Sequence, residues 1–363
     1  MNNSASPCRF LMKIGIVLLV VIVLVGLGAL VWWQFTKPAP SSSVPVRIGW
    51  QVSWATQGQI AQVLKHTNIL ELNGLKGELK GFSYGGPLNE AALAGEVDVI
   101  LTADQPAVSL LAARGRWHIV GRLINFRAAI ILPVNSSITD VIDLKGKSIA
   151  IPFGSSTHRI VLGMIEQAGL KPGVDVTVRN MDILEQASVV QSGNDKQWGE
   201  LDALASWDPY IAIFEQAGRA RVLKQALGLS VVMISDDFTK QHPDVAEIFL
   251  KAYIETIFYY ALHQDLANRW FAQDSRVQSD LKVLDKAGSF EENLRAKTIG
   301  EVRVLLTDSE ITQIENGATF ARELGLIKQV PDIRKSINLD YATAAAASLA
   351  EHPLNLSEVT QKQ

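Results

Sequence analysis

The chain has 363 residues, of which 48% are hydrophobic and 20% charged, with 13 prolines and a single cysteine. These proportions exclude a wholly disordered, collagen-like or disulfide-stabilised protein. At roughly 100 to 200 residues per domain, the length predicts two domains or one two-lobed unit. The formal net charge is −3 and no lysine or arginine cluster is present, which argues against nucleic acid as a partner.

An uncharged apolar run, Ile14–Trp33, stands near the start of the chain. As a helix it is about 30 Å long, which matches the hydrocarbon core of a bilayer. Arg9 and Lys13 precede the run, so the positive-inside rule places the rest of the chain outside the cytoplasm. A cleaved signal peptide is the alternative, although the run is longer than the usual apolar region of one.

The sequence therefore predicts a protein anchored to the membrane by its N-terminal helix. Its body would be periplasmic or lie on the outer face of the cytoplasmic membrane. The predicted segments are a cytoplasmic N-terminus at 1–13, a transmembrane anchor at 14–35 and a linker at 36–45.

Beyond the linker, short β-rich runs alternate with helical stretches, a pattern that predicts an α/β fold with parallel open sheets. From Thr239 onward the pattern is mostly helical. The predicted strands are Val46–Trp50, Val97–Leu101, Ser148–Ile151 and Leu201–Ala205, followed respectively by helices near 58–67, 105–113, 156–168 and 209–217.

An internal repeat supports two similarly built lobes with a cleft between them. The residues Gly95-Glu96-Val97-Asp98 and Thr102-Ala103-Asp104 recur, at a constant offset of 104 positions, as Gly199-Glu200-Leu201-Asp202 and Ser206-Trp207-Asp208. In open α/β sheets, ligands bind beyond the carboxyl ends of the strands, where the following helices present unpaired N–H groups.

Five loops are therefore expected at the cleft, namely 51–57, 84–87, 102–106, 154–158 and 206–210. The loop Gly154-Ser155-Ser156-Thr157 offers a flexible glycine, three hydroxyls and several backbone N–H groups at one helix start. Such a loop suits an oxyanion, although ordinary helix capping is the alternative.

Other residues of these loops have two interpretations each. Asp104 and Asp208 are better explained as helix caps, because a carboxylate repels an anion. Trp54 and Trp207 could contact the organic tail of a ligand or pack in the lobe cores. His158 could be a ligand donor or an ordinary core or surface histidine.

Arg127 and Arg159 could clamp a sulfonate or carboxylate, but their spacing does not distinguish them from surface arginines. The sequence has no Walker loop, no Gly-x-Ser-x-Gly elbow, no His-Glu-x-x-His motif and no cysteine pair. It therefore predicts no catalytic residue, no metal site and no cofactor.

The motifs at the cleft resemble the solute-binding proteins of ABC importers of the nitrate, taurine and aliphatic-sulfonate type. The resemblance covers roughly residues 46–345 and is carried by Tyr84-Gly85-Gly86-Pro87, residues 92–98, Thr102-Ala103-Asp104-Gln105-Pro106-Ala107, residues 144–150, Gly154-Ser155-Ser156-Thr157-His158 and Trp207-Asp208-Pro209-Tyr210.

The resemblance implies a two-lobed periplasmic binding protein fold, with both hinges in the middle of the chain. The expected division is lobe 1 at 46–134, lobe 2 at 135–225, completion of lobe 1 at 226–350 and a tail at 351–363. Together with the loop analysis it predicts ligand contacts at Trp54, Gly86, Thr102, Ala103, Asp104, Gly154, Ser155, Ser156, Thr157, His158, Trp207 and Asp208.

The predicted function is capture of a small organic anion, such as an aliphatic sulfonate, taurine or nitrate, by hinge closure. A monomeric receptor of this kind delivers its ligand to an ABC permease with its ATPase. Two alternatives remain open: a ligand-sensing module that signals to a membrane partner, and an enzyme of cofactor biosynthesis on the same fold. The residues alone do not identify the anion.

Overall fold

The computed structural model describes residues 43–362 apart from 115, 276 and 278. The predicted segments 1–13 and 14–35 and most of the linker 36–45 lie outside these residues, so the membrane anchor stays a prediction. Among the helices that are described, none combines the length and the apolar character needed to cross a bilayer. From Val44 onward the chain forms one compact unit.

Eight strands form one sheet in the order β2-β1-β3-β8-β4-β7-β5-β6. Six are short, and β4 and β8 are much longer. Their bounds are β1 Val44–Gln51, β2 Leu75–Phe82, β3 Val99–Ala103, β4 Trp117–Pro133, β5 Ser148–Ile151, β6 Thr177–Asn180, β7 Ala203–Trp207 and β8 Ala220–Ser235.

The helices cover both faces of the sheet and make up most of the C-terminal third. They are α1 Gln57–His66, α2 Ile69–Leu72, α3 Gly85–Leu93, α4 Asp104–Arg114, α5 Ser156–Gln167, α6 Ile183–Ser192, α7 Tyr210–Gln216, α8 Asp236–Gln241, α9 Val245–Leu262, α10 Gln264–Asp274, α11 Leu281–Gly288, α12 Asp308–Glu323 and α13 Asp340–Glu351. The predicted strand–helix pairs and the helical C-terminal region are thereby confirmed.

Two lobes share the two long strands. In lobe 1, β1 runs parallel to β2 and β3, and in lobe 2, β5 runs parallel to β6 and β7. Both long strands run antiparallel to their neighbours: β8 to β3, and β4 to β7 and β8. The prediction of purely parallel sheets is therefore wrong, because the strands that connect the lobes return through the sheet in the opposite direction.

The sequence repeat corresponds to equivalent hydrogen bonds in the two lobes. The Asp98 carboxylate accepts the Arg47 N–H at 2.9 Å, and the Asp98 N–H donates to the Arg47 carbonyl at 2.8 Å. Asp202 makes the same reciprocal pair with Ser148, at 2.9 Å in both directions. Each repeat thus fastens β3 or β7 to the first strand of its lobe. The exact bounds predicted for the lobes stay a prediction, since β4 and β8 belong to both.

The chain passes between the lobes where the pairing of β4 with β8 shifts register between Arg122 and Asn125. The buried Glu291 carboxylate accepts two hydrogen bonds from the Arg122 guanidinium, at 2.9 and 2.8 Å, and one from the Asn125 N–H at 2.7 Å. On β8, the Ser230 hydroxyl donates to the Ile124 carbonyl and accepts from the Ile124 N–H. These bonds replace the regular ladder that the register shift interrupts.

Substitution of Glu291 tests how much the hydrogen bonds at this register shift stabilise the fold. Glu291→Gln should lower the free energy of unfolding by about 1.5 to 3 kcal/mol, because it removes the carboxylate that accepts both hydrogen bonds from the buried Arg122 guanidinium and leaves Glu310, 3.5 Å from Arg122 Nε, as its remaining largely buried carboxylate neighbour. The Arg122 and Glu291 side chains are 0% and 1% exposed. Glu292 lies 3.6 Å from Arg122 but is half exposed, so Glu292→Gln should cost less than about 1 kcal/mol. Urea unfolding measures both variants, and equal losses would contradict the assignment.

Candidate functional site

All five predicted loops meet at one cavity between the lobes. The cavity is lined by Gln51, Trp54, Gly85, Ala103, Pro106, Phe126, Ser155, Ser156, Thr157 and Trp207. The space open to a water-sized sphere is about 20 Å³, room for about one water molecule. The lobes are therefore closed on each other in this structure, and the cavity as it stands is too small for an organic ligand.

Six of the twelve residues predicted to contact a ligand line this cavity: Trp54, Ala103, Ser155, Ser156, Thr157 and Trp207. The other six are chain neighbours of lining residues but do not line the cavity themselves: Gly86, Thr102, Asp104, Gly154, His158 and Asp208.

Sequence reasoning missed Gln51, Gly85, Pro106 and Phe126 as individual residues, although the first three belong to the predicted loops. Phe126 lies on β4, away from every predicted loop, and no local signal marks it.

The hydroxyl groups at the start of α5 are not equivalent, because those of Ser155 and Ser156 already donate to acceptors within the protein. Gly154 adopts a positive φ of 78°, which favours glycine. The Ser155 hydroxyl donates to the Pro152 carbonyl at 2.7 Å and accepts the His158 N–H at 3.0 Å. The Ser156 hydroxyl donates to Asp104. Both serine hydroxyl protons are thus committed to acceptors within the protein.

Three buried donors at the cavity have no hydrogen-bond partner among the described residues. They are Gln51 Nε2, Trp54 Nε1 and Thr157 Oγ1. These residues are only 4%, 3% and 1% exposed, so water does not supply the missing partners at the surface. An unpaired buried donor costs about 1 to 3 kcal/mol, which an acceptor ligand would recover. The first turn of α5 adds backbone N–H groups that have no acceptor within the helix.

The two aspartates that were interpreted as caps do accept backbone N–H groups from helix starts. Asp104 Oδ1 accepts from the Gln105 N–H at 2.8 Å, and Asp208 Oδ1 accepts from the Ala212 N–H at 3.2 Å. Each carboxylate is also paired with an arginine: Asp104 with Arg159 and Asp208 with Arg127. Their negative charges are therefore neutralised beside the cavity.

Arg127 is a buried structural residue that does not line the cavity. Its Nε and Nη2 donate to the two oxygens of Asp208 at 2.8 and 2.7 Å, and Nη1 donates to Glu215 at 3.1 Å. Burial acts to lower the pKa of Arg127, but the bonds to Asp208 and Glu215 outweigh it and the pKa is raised. The guanidinium stays charged and fully occupied by carboxylates.

Direct contacts hold the lobes together around the cavity. The Ala55 N–H of lobe 1 donates to the Asp208 carbonyl at 3.2 Å, and Trp207 Nε1 donates to the Ser53 carbonyl at 3.3 Å. On the other side of the cavity, the Gln105 N–H of lobe 1 donates to the Ser156 hydroxyl of lobe 2 at 2.9 Å. The closed arrangement thus has hydrogen bonds of its own between protein atoms.

Aromatic side chains form the apolar wall of the cavity. The rings of Trp54 and Phe126 meet edge to face with centroids 4.8 Å apart, and Trp207 is buried beside them. None of the described lining residues is charged. Unpaired donors on one side and aromatic rings on the other suit a small amphipathic ligand that carries acceptor oxygens.

The family is shown by the sequence itself. Residues 44–269 match the OpuAC family, the substrate-binding domain of ABC-type glycine betaine transport systems, and the chain belongs to this family. An aliphatic sulfonates-binding protein of Escherichia coli (strain K12) is 33% identical over 54% of this chain and 59% of its own length. The taurine-binding periplasmic protein of the same strain is 26% identical over 62% of this chain and 70% of its length.

Solved structures confirm the two-lobed fold. The alkanesulfonate-binding protein SsuA from Xanthomonas axonopodis pv. citri bound to MOPS aligns with a TM-score of 0.67 at 21% identity, covering 82% of this chain and 99% of its own. The desulfurization enzyme DSZB aligns with a TM-score of 0.63 at 14% identity, covering 84% and 99%. Because both binding proteins and an enzyme have this fold, the fold alone does not determine the function.

His158 gives the site a pH dependence that can be measured. Burial lowers the pKa of His158 to about 4, whereas in the unfolded chain it is near 6.5. Between these values the unfolded chain binds a proton that the folded protein does not, so stability falls as the pH drops through this window. The loss at about pH 4 should approach about 3 kcal/mol.

Thermal unfolding against pH tests this expectation. His158→Gln should flatten the fall in stability between about pH 6.5 and 4, while His352→Gln, at an exposed position, should leave it steep. A wild-type curve as flat as that of His158→Gln would contradict the assignment.

Proposed function

We propose that this protein is an extracytoplasmic solute-binding protein that captures a small organic anion, an aliphatic sulfonate, for an ABC importer. Membership of a family of ABC-importer substrate-binding domains supports the solute-binding role. The names of the two Escherichia coli relatives support the sulfonate. The observation that carries the proposal is the set of unpaired buried donors at the cavity, Gln51 Nε2, Trp54 Nε1 and Thr157 Oγ1.

The donors come from both lobes, so a ligand that binds to all of them would stabilise the closed state. Gln51 is the last residue of β1 in lobe 1 and Trp54 lies in the loop after it, whereas Thr157 lies in α5 of lobe 2. An oxyanion between them accepts from both lobes at once and binds the closed state better than the open one. The hinge motion between the open and closed states would bend the chain at the register shift of β4, around Ile124.

We further propose that residues 14–35 tether the body to the membrane, with the ABC permease and its ATPase as the partners. The support is the apolar run Ile14–Trp33 with Arg9 and Lys13 before it. The expected lobe division and the remaining ligand contacts belong to the same proposal. A sensing role without transport would use the same cleft, and a permease and ATPase encoded beside this protein would favour import.

The Thr157 hydroxyl is the sharpest test of the site. Thr157→Val removes one donor to a charged oxygen, so affinity for butanesulfonate should fall about ten- to a hundredfold. Because the hydroxyl has no partner within the described part of the chain, the unliganded variant should be at least as stable as the wild type. Isothermal titration measures the affinity and thermal unfolding the stability.

The control is Thr177→Val, which makes the same change at an exposed position of lobe 2 and should bind like the wild type. Butanesulfonate, taurine, nitrate and butyrate should be compared by thermal shift. A wild-type melting temperature that none of them raises would contradict the proposed function. Recovery of the ligand chemically unchanged after incubation would distinguish binding from catalysis.

The tether predicts where the full chain is found in cells. We expect the intact protein to sediment with membranes, to resist a carbonate wash and to retain residues 1–42 by mass spectrometry. Leu19→Arg with Val23→Arg places two charges in the apolar run and should release the protein from the pellet, because each charge costs about 2.5 to 3.5 kcal/mol at the bilayer centre. A mature N-terminus after Trp33 would instead identify a cleaved signal.

A further inference from the structure

Among the described residues that line the cavity, Phe126 alone lies on a strand that both lobes share. It comes directly after the register shift of β4 and pairs with Gly228 of β8 in the regular ladder. The residue is 6% exposed. The Phe126 ring is therefore fixed to the central strands of the sheet, whereas the predicted loops follow the short strands of one lobe or the other.

Gly228 leaves the space in which this ring lies. A Cβ atom added at Gly228 would lie 2.3 to 2.9 Å from Cζ, Cε1 and Cε2 of Phe126, well inside the distance at which carbon atoms pack. Gly228 is not among the glycines with a positive φ, so its backbone conformation is open to other residues. The ring of Phe126, and not the backbone, is thus what requires a glycine at this position.

The same ring borders the ligand space. It meets the Trp54 ring edge to face, with centroids 4.8 Å apart and an interplanar angle of 77°. Trp54 Nε1 is one of the unpaired donors, so the apolar wall begins beside a group that a ligand oxygen would use. A ligand whose oxygens accept from the donors therefore has its tail confined by Trp54, Phe126 and Trp207.

We propose that Phe126 is a specificity-determining residue that sets the length of the ligand tail, and that Gly228 is a positioning residue that acts through it. The ring ends the apolar part of the cavity, and the absence of a side chain at Gly228 lets the ring lie back against β8. This inference rests on the proposed function, since it concerns the tail of the same ligand.

The physical basis is the difference between filling a site and meeting its wall. Each methylene group that moves from water into an apolar site tightens binding about fourfold. The gain ends where the tail meets a wall, because a close-packed interior accepts an extra methylene only with strain. A wall residue therefore determines the tail length at which affinity stops rising, whereas a residue that only stabilises the closed fold changes the affinity for every tail alike.

The experiment is isothermal titration of the full chain with ethanesulfonate, butanesulfonate and hexanesulfonate, which share one head group and one charge. Phe126→Ala removes the wall. It should raise the ratio of hexanesulfonate to butanesulfonate affinity about tenfold over the wild-type ratio, since two further methylenes become buried. Phe126→Leu removes less of the side chain and should raise the ratio less, which keeps the test valid if Phe126→Ala does not fold.

Gly228→Ala changes the same space in the opposite direction. The added methyl group displaces the Phe126 ring from β8 toward the cavity, so the ratio of butanesulfonate to ethanesulfonate affinity should fall about fourfold or more, which corresponds to at least one methylene. Gly228 does not line the cavity, so this effect reaches the ligand through Phe126.

Phe238→Ala is the matched control. Phe238 is also 6% exposed, but it lies on α8 and does not line the cavity. Its loss should destabilise the fold as the loss of Phe126 does, and should leave both affinity ratios at their wild-type values.

The outcomes separate this inference from the proposed function. Failure of the wild type to bind any of the three sulfonates would overturn the proposed function and this inference with it. Normal binding of butanesulfonate, with ratios that neither the Phe126 variants nor Gly228→Ala changes, would overturn the role in tail length alone. Loss of all three affinities by one common factor would likewise overturn it, and would show that Phe126 only stabilises the closed fold.

Discussion

The antiparallel pair of β4 and β8 is the constraint on which the rest of the molecule depends. Both lobes extend one sheet from these two strands, so each lobe is positioned by the same ladder. Where the ladder shifts register, Glu291 and Ser230 satisfy the backbone groups that it leaves unpaired. Hydrogen bonds from side chains follow small changes in the backbone more readily than a second strand does, so this register shift suits the hinge motion that we propose.

The closed cleft combines contacts that the protein makes with itself and donors that it leaves open. The bonds from Ala55 to Asp208 and from Trp207 to Ser53 stabilise closure without a ligand. The unpaired groups of Gln51, Trp54 and Thr157 destabilise it until an acceptor arrives. The balance of these contributions sets the population of the closed state in the free protein. A ligand that pairs with the open donors shifts this population toward the closed state.

Much of the fold was predictable because its signals are local. The repeat located β3 and β7 and the aspartates that fasten them, and helix-start chemistry located the loops that meet at the cavity. The edge strands β2 and β6 were missed, because edge positions keep polar side chains that hide a strand pattern. The long strands β4 and β8 were not predicted, and their antiparallel pairing was missed with them, because it joins segments about a hundred residues apart and periodicity detects only local patterns.

The same limit explains what sequence reasoning could not resolve at the site. Ser155, Ser156 and Thr157 look alike in the sequence, and only their neighbours in space show that two hydroxyl protons are committed and one is not. Arg159 looked like a surface or clamp residue until its partner, Asp104 of the opposite lobe, was known. An acidic residue beside an anion site is costly when it is alone. Paired with an arginine it contributes no net charge, so the open neutral donors and the start of α5 are the groups left to hold the proposed anion.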